Sequence, residues 1–133
     1  MVDTVNSNVL FSDSRRYHIQ ITNESDGTGE SAVAKINKSA LSDVNGIEPK
    51  ALDLIWVNYQ VNGFNYIVLE WDHTTNDEIL VLSGNGERDF KSSHSLKDPI
   101  SAGSTGDVVL TTDGAIDGAS YDIEMMFKLR ATT

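Results

Sequence analysis

The most reactive side chains of this sequence gather where an apolar run ends. The segment FNYIVLEWDHTT carries Asp72 and His73 near its end, and Asp77 and Glu78 follow shortly after. Imidazole and carboxylate groups are common zinc ligands and common carriers of protons in general acid–base catalysis. This cluster is therefore the first candidate for a metal site or an acid–base site.

The spacing around this cluster favours a structural role instead. The three histidines of the chain are far apart, so no second histidine stands at ligand spacing from His73. Asp72 and the hydroxyls of Thr74 and Thr75 are suited to hydrogen-bonding the backbone of a turn. We therefore expect a polar loop at a strand terminus, with no metal and no catalytic residue.

Other motifs that resemble reactive sites are incomplete. ESDGTGE, TTDGAIDG and GNGERD each resemble a fragment of a calcium loop, but none matches the EF-hand pattern. Ordinary turns are the alternative, and calcium binding stays open. The glycines of SGNGERDF lack the helix and the Lys-Ser/Thr pair of a phosphate loop, and no G-x-S-x-G elbow occurs. We expect neither enzymatic activity nor a cofactor.

Four residues are candidates for contact with a partner. Arg15 and Arg16 are the only adjacent basic pair in an acidic chain, and arginine binds carboxylates through two parallel hydrogen bonds. The alternative is that they begin a strand and face solvent. Trp56 and Trp71 either pack in the core or form an aromatic platform of the kind that stacks on sugars.

Composition restricts the classes of partner. The 133 residues include 20 Asp plus Glu against 10 Lys plus Arg, a formal net charge of -10. Such a surface repels nucleic acid and anionic membranes, which are bound through Lys and Arg. The absence of cysteine excludes disulfides and suits a reducing compartment. No signal peptide is visible, and no apolar run approaches the ~20 residues of a membrane span.

Apolar residues recur with a period of two, which indicates β-strands. Tyr17, Ile19 and Ile21 alternate with polar neighbours, and the final strand alternates over 121–130. In LIWVNYQV, alternation assigns Ile55 and Val57 to one face and Leu54 to the other. The following Asn-Gly pair predicts a tight hairpin with FNYIVLEW as its return strand.

These signals predict an all-β domain with little helix. About seven to nine short strands with frequent turns are typical of a β-sandwich, for which a jelly roll is one arrangement. Residues 1–15 are predicted as an N-terminal arm or edge segment, and residues 16–133 as the sandwich. The patternless stretch at 91–106 is long enough to suggest a functional or covering loop. Strand order is not specified by these patterns.

Two stretches resemble small structural proteins of tailed bacteriophages. In WDHTTNDEILVLSGNG, the Trp71-Asp72 pair precedes two threonines, an acidic residue, a strand at 78–82 and the glycines of a G-x-G, with Phe90 beyond. AGSTGDVVLTTDGAIDGASYDIEMMFKL resembles the ending of those proteins, with a glycine-rich turn, a strand, a glycine pair and a closing amphipathic strand. The resemblance covers about residues 52 to 130.

The resemblance implies a virion component, with capsid decoration or cement protein as the first expectation. Such a protein would be made in the host cytoplasm and would bind the major capsid protein on the outside of the head. It would act as a homo-oligomer, with a trimer favoured. None of the matched motifs is catalytic. A neck, tail or fibre component, or a carbohydrate- or ligand-binding sandwich, remains the alternative.

Overall fold

The chain folds into two antiparallel β-sheets that pack face to face. A computed structural model describes residues 4–42, 45–73, 75–90, 96–98, 103, 105–114 and 116–130. The apolar side chains of the two inner faces form one shared core. The predicted all-β sandwich is therefore confirmed.

The described residues form ten strands and one short 3₁₀ helix, slightly more strands than the sequence pattern predicted. The strands are β1 (Thr4–Ser12), β2 (Arg16–Asp26), β3 (Val33–Ile36), β4 (Ala51–Asn62), β5 (Tyr66–Trp71), β6 (Asp77–Leu82), β7 (Asn85–Asp89), β8 (Leu96–Lys97), β9 (Val108–Asp113) and β10 (Asp117–Arg130). The 3₁₀ helix spans Lys38–Ala40. Across the described ranges, no helix has the length and apolar character needed to cross a membrane.

The strand order is that of a jelly roll with added strands. One sheet runs β1-β2-β10-β4-β7, with β8 also paired to β4, and the other runs β3-β9-β5-β6. β2 pairs with β10, β3 with β9, β4 with β7 and β5 with β6, and every pair is antiparallel. This nested pairing of early with late strands is the eight-stranded jelly-roll arrangement. β1 and β8 are additions to it.

The Asn62-Gly63 pair turns the chain but does not form the predicted hairpin. β4 ends at Asn62 and β5 begins at Tyr66, and these two strands lie in different sheets. Gly63 has a φ of +83°, so the positive φ typical of such a pair is present. The hairpin prediction is therefore wrong, because this turn carries the chain across the sandwich from one sheet to the other.

Alternating residues of the central strands fill the core, as predicted. Ile19 and Ile21 of β2 and Ile123, Met125 and Phe127 of β10 are all at most 2% exposed. Burying one side chain of this size stabilises the fold by about 1.5–3 kcal/mol. β10 lies between β2 and β4, so its inner residues contribute to the middle of the core.

A β-bulge in β4 breaks the predicted alternation. The pairing of β4 with β10 passes directly from Trp56 to Leu54, so Ile55 is the extra residue. Leu54 and Val57 consequently both belong to the core, although alternation had assigned them to opposite faces. Ile55 is buried at the other side of the sheet, outside the core cluster.

The N-terminal segment is an edge strand of the larger sheet. β1 pairs with β2 in an unbroken register from Thr4 to Val9, and a bulge follows before Phe11. β1 is therefore a strand of the sandwich itself, at the edge of its larger sheet, and the turn that joins it to β2 spans residues 13–15.

Candidate binding surface

The outward face of the six-stranded sheet carries polar side chains that no second layer among the described residues covers. We call it the outer face, and it consists of the outward-pointing residues of β1, β2, β10 and β4. One end is basic and partly apolar, whereas the other is rich in amide and carboxylate groups. Each end contains a surface cavity.

The basic end is a cavity of about 280 Å³ lined by Arg15, Arg16, Ile55 and Lys128, which we call the basic cleft. The strand register brings its cations together, because Lys128 of β10 lies directly opposite Arg16 of β2. The bulge in β4 turns Ile55 to the same side. The result is an apolar floor bordered by three cationic side chains.

A tight turn before β2 holds the two arginines. Oδ1 of Asp13 accepts hydrogen bonds from the backbone N–H groups of Arg15 at 2.7 Å and of Arg16 at 2.8 Å. These backbone bonds, followed by the nearby arginine charges, hold the pKa of the Asp13 carboxyl below its ordinary value. The backbone N–H of Leu129 also donates to the carbonyl of Arg15 at 2.7 Å, which fixes the turn against β10.

The cations of the cleft are available to a partner. Within the described ranges, Arg15, Arg16 and Lys128 form no ion pair with an acidic side chain. Asp53, which lies opposite Lys128 in the register, binds Nη2 of Arg130 at 2.6 Å instead. An acidic group entering the cleft would therefore meet three cations that are not neutralised by ion pairs within the described part of the chain.

The two tryptophans have different environments. Trp56 is half-buried on the outer face, where its ring meets that of His18 edge-on at 5.6 Å between centroids. Trp71 is 2% exposed and packs against Phe127 in the core. Core packing, one of the two alternatives for Trp71, is therefore what the structure has. Its side chain has no exposed face for a partner, which corrects its nomination as a partner-binding residue.

The opposite end of the outer face is a polar groove. A cavity of about 290 Å³ crosses β1, β2, β10 and β4, and we call it the amide groove. Its outward-pointing lining residues are Asn6, Thr22, Glu24, Gln60, Asn62, Ser120 and Asp122. Gln20 beside it donates to Oδ1 of Asp122 at 3.0 Å. Amides and carboxylates alternating on one surface can donate to and accept from a polar, uncharged ligand.

The buried side chain of His73 lies between two carboxylates, of which that of Asp98 is buried and that of Asp77 is 41% exposed. Its Nδ1 contacts Oδ2 of Asp77, and its Nε2 lies 2.8 Å from Oδ1 of Asp98. His73 and Asp98 are 5% and 2% exposed, and the backbone N–H of His73 donates to Oδ1 of Asn76. Both ring nitrogens are therefore engaged away from solvent. The cluster fastens the loop after β5 to the segment after β8.

No protein-family model, curated protein or solved structure matches this chain. A function must therefore be inferred from the resemblance of the sequence pattern and from the surfaces of the fold. Of these surfaces, the outer face combines exposed polar groups with cavities, whereas the side chain of His73 is buried between its two carboxylate partners.

The remaining members of the first candidate cluster are separated. Oδ2 of Asp72 accepts from the hydroxyl of Thr105 at 2.9 Å, which joins two loops. Glu78 is exposed on β6, opposite Glu70 of β5. Thr74 lies outside the described residues. No group of three or more His, Asp or Glu side chains suited to a metal occurs in the described part of the chain.

The acidic and glycine-rich turns are stabilised by their own side chains. Asp26 accepts from the backbone N–H and the hydroxyl of Thr28, as expected of a turn. Gly84 has a φ of +67° in the connection from β6 to β7. Gly86 lies within β7, where an added Cβ would come within 2.8 Å of the hydroxyl of Tyr59. This G-x-G thus serves a turn and a close ring contact, and forms no phosphate cradle.

Sequence reasoning missed a buried polar network at one end of the sandwich. The carboxylate of Glu30 contacts Nζ of Lys35, and Oε1 accepts from Nδ2 of Asn23 at 2.8 Å and from the hydroxyl of Tyr121 at 2.6 Å. The side chains of Glu30 and Lys35 are 6% and 3% exposed. No local pattern predicts this network, because its members come from β2, β3, β10 and the turn between β2 and β3.

Proposed function

We propose that this protein is a non-enzymatic structural component of a tailed-bacteriophage virion that binds and stabilises the outer surface of the head as a decoration, or cement, protein. The resemblance over residues 52 to 130 suggests this role. Jelly rolls occur in viral capsid domains as well as in lectins, although a fold alone does not select a function. The observation that carries the proposal is the basic cleft.

The cleft gives an acidic protein a place at which to bind an acidic surface. With a net charge of -10, most of the molecule repels an acidic partner. Arg15, Arg16 and Lys128 reverse that sign locally, and the apolar floor at Ile55 excludes water from the contact. We assign the cleft to a carboxylate-bearing surface of the major capsid protein. Binding should weaken with salt, since the cations lie near the surface.

A weak contact of this kind suffices for a cement protein. The shell offers the same site many times, and any ligand that binds the assembled state stabilises it by mass action. Oligomerisation of the decoration protein would add multivalency without a new contact. The protein would reach the capsid surface after synthesis in the host cytoplasm.

Charge reversal in the cleft tests the proposal. The unmodified chain, Arg16→Glu and the control Lys50→Glu are each purified and sedimented with heads from which the chain is absent. The control makes the same charge change at an exposed site outside the cleft. We expect Arg16→Glu to weaken binding by about 10-fold or more and Lys50→Glu to have little effect. Equal effects would remove the cleft as the contact. Failure of the unmodified chain to bind heads, with no density for it on virions, would exclude decoration.

The amide groove supports a second candidate, a carbohydrate-binding sandwich. Its amide, hydroxyl and carboxylate groups are suited to sugar hydroxyls, and Trp56 lies on the same face. A glycan array followed by titration of any hit would test this. Gln60→Ala should then lower the affinity, whereas Arg16→Glu should not. An array without hits would remove this candidate.

A further inference from the structure

The edge strand β1 contains a palindrome. Residues 5–9 read VNSNV, so the segment has the same sequence in either direction about Ser7. Antiparallel pairing with a second copy reverses the direction of the strand. A two-fold axis through Ser7 would therefore bring valine opposite valine and asparagine opposite asparagine. The palindrome coincides with the regular part of β1, because the bulge comes after Val9.

Over Thr4 to Val9, the edge of β1 that no described strand covers lacks the features that usually prevent strand addition, and the only bulge of the strand comes after Val9. Exposed edges are normally protected by charged residues, prolines or very short strands. β1 has nine residues, and its sequence TVNSNVLFS contains neither a charge nor a proline. The other sheet edges differ: β3 contains Lys35, β6 contains Asp77 and Glu78, and β7 contains Arg88 between two acidic residues.

Apolar side chains on β1 are exposed. Val5 and Val9 lie opposite Asn23 and Ile19 of β2, so they point to the inner side of the sheet. They are nevertheless 38% and 55% exposed, which means that the second sheet leaves this part of the face uncovered. Asn6 and Asn8 alternate with them and point to the outer face. A strand added at this edge would cover the valines.

We propose that two copies of this chain pair through β1, antiparallel and centred on Ser7. Each Val5 then contacts Val9 of the second copy on the inner side. Each Asn6 lies opposite Asn8 of the second copy on the outer side, where the amides can hydrogen-bond. The two six-stranded sheets become one continuous sheet.

A second copy fits this edge better than an unrelated strand. A palindrome gives matched pairs only against itself, and a two-fold interface requires a self-complementary surface. Two copies that each carry a net charge of -10 repel each other over most of their surfaces. Because β1 carries no charge, this repulsion is weaker along it and the copies can approach each other there. The product is a closed dimer, in contrast to the trimer that the resemblance favours.

A single introduced cysteine tests both the pairing and its register. The chain has no cysteine, so Ser7→Cys provides its only thiol. Residues directly opposite in an antiparallel pair have Cα atoms about 4.5 or 5.5 Å apart, within the range of a disulfide. Under mild oxidation, we expect Ser7→Cys to form a covalent dimer. Val5→Cys alone should not, because its two copies would be about 13 Å apart along the strand.

A mixture of copies makes the register test stricter. Val5→Cys mixed with Val9→Cys should cross-link as a heterodimer, since these positions lie opposite each other in the proposed pair. Equal cross-linking of Ser7→Cys and Val5→Cys alone would mean that collisions, not a defined register, form the bond. Cross-linking of Val5→Cys without Ser7→Cys would overturn the proposed register.

The oligomeric state of the full chain gives an independent test. One strand pair is smaller than a standard interface of about 1,600 Å², so we expect micromolar dissociation, measured by analytical ultracentrifugation over a concentration series. Val9→Asp should weaken the dimer by about 10-fold or more, because it affects both symmetric valine pairs. Val81→Asp is the control, since Val81 is 51% exposed on β6.

The outcomes separate this proposal from the proposed function. A monomer at all concentrations, a trimer, or equal effects of Val9→Asp and Val81→Asp would each overturn the β1 dimer. Circular dichroism and urea unfolding of both variants would show whether the fold is intact. None of these measurements involves heads or glycans, so they do not depend on what the outer face binds.

Discussion

Replacing Glu30 by alanine removes the acceptor on which three buried donors converge. Lys35, Asn23 and Tyr121 all contact its carboxylate, and the Lys35 side chain is only 3% exposed. Removing one partner of a buried ion pair leaves the other charge in a poorly hydrated site, a loss of about 3–5 kcal/mol. We expect Glu30→Ala to lower the free energy of unfolding by that amount, a large share of the ~5–15 kcal/mol typical of a domain.

Urea unfolding at neutral pH measures this loss, with Glu78→Ala as the control because Glu78 is exposed. We expect less than about 0.5 kcal/mol for the control. The double variant Glu30→Leu/Lys35→Met removes both charges and should be more stable than Glu30→Ala. A loss below about 1 kcal/mol for Glu30→Ala, or a double variant no more stable than Glu30→Ala, would refute an energetically coupled buried pair.

Three further results are expected. Gly63→Ala should destabilise by about 2–4 kcal/mol in urea unfolding, because its φ is +83° and its Cβ would lie 2.9 Å from Cα of Ala119. Gly46→Ala, with a φ of +76° and no described atom within 4 Å of its Cβ, should lose only about 1–2 kcal/mol. Burial raises the pKa of Tyr17 above 10.0, so its neutral form contributes stability that is fully present below pH 10.0 and is lost as the pH rises through the folded pKa. The free energy of unfolding of Tyr17→Phe should therefore fall less at alkaline pH than that of the unmodified chain. An equal fall in the two proteins would contradict this. Acrylamide should quench the fluorescence of Trp56 but barely that of the core residue Trp71, as single-tryptophan variants would show.

Period-two alternation was sufficient to predict the long central strands and much of the core. It identified Ile19 and Ile21 of β2 and the inner residues of β10, because local alternation reflects which face is buried. It failed at Ile55, where a bulge shifted the phase by one residue. The turn at Gly63 was recognised, but a positive φ does not specify whether the next strand joins the same sheet or the other one.

The candidate site was less predictable, because its residues are distant in sequence. The adjacent arginines were visible as a pair, yet nothing local indicated that Lys128 would stand opposite Arg16. His73 was singled out, but its partner Asp98 comes from a different loop, 25 residues along the chain. Pairing between sheets and loops depends on the global topology, which local patterns do not encode.

The edge pairing and the basic cleft, if both operate, reinforce each other. A two-fold axis between antiparallel strands of one sheet is perpendicular to that sheet, so both outer faces would point to the same side. A β1 dimer would thus present two basic clefts on one surface and bind a repeated acidic surface with avidity. The disulfide-linked Ser7→Cys dimer should therefore bind heads at least about 10-fold more tightly than Val9→Asp, whose cleft is unchanged. Equal affinities would mean that the two clefts cannot reach neighbouring sites at once, and the dimer would then have no role in decoration.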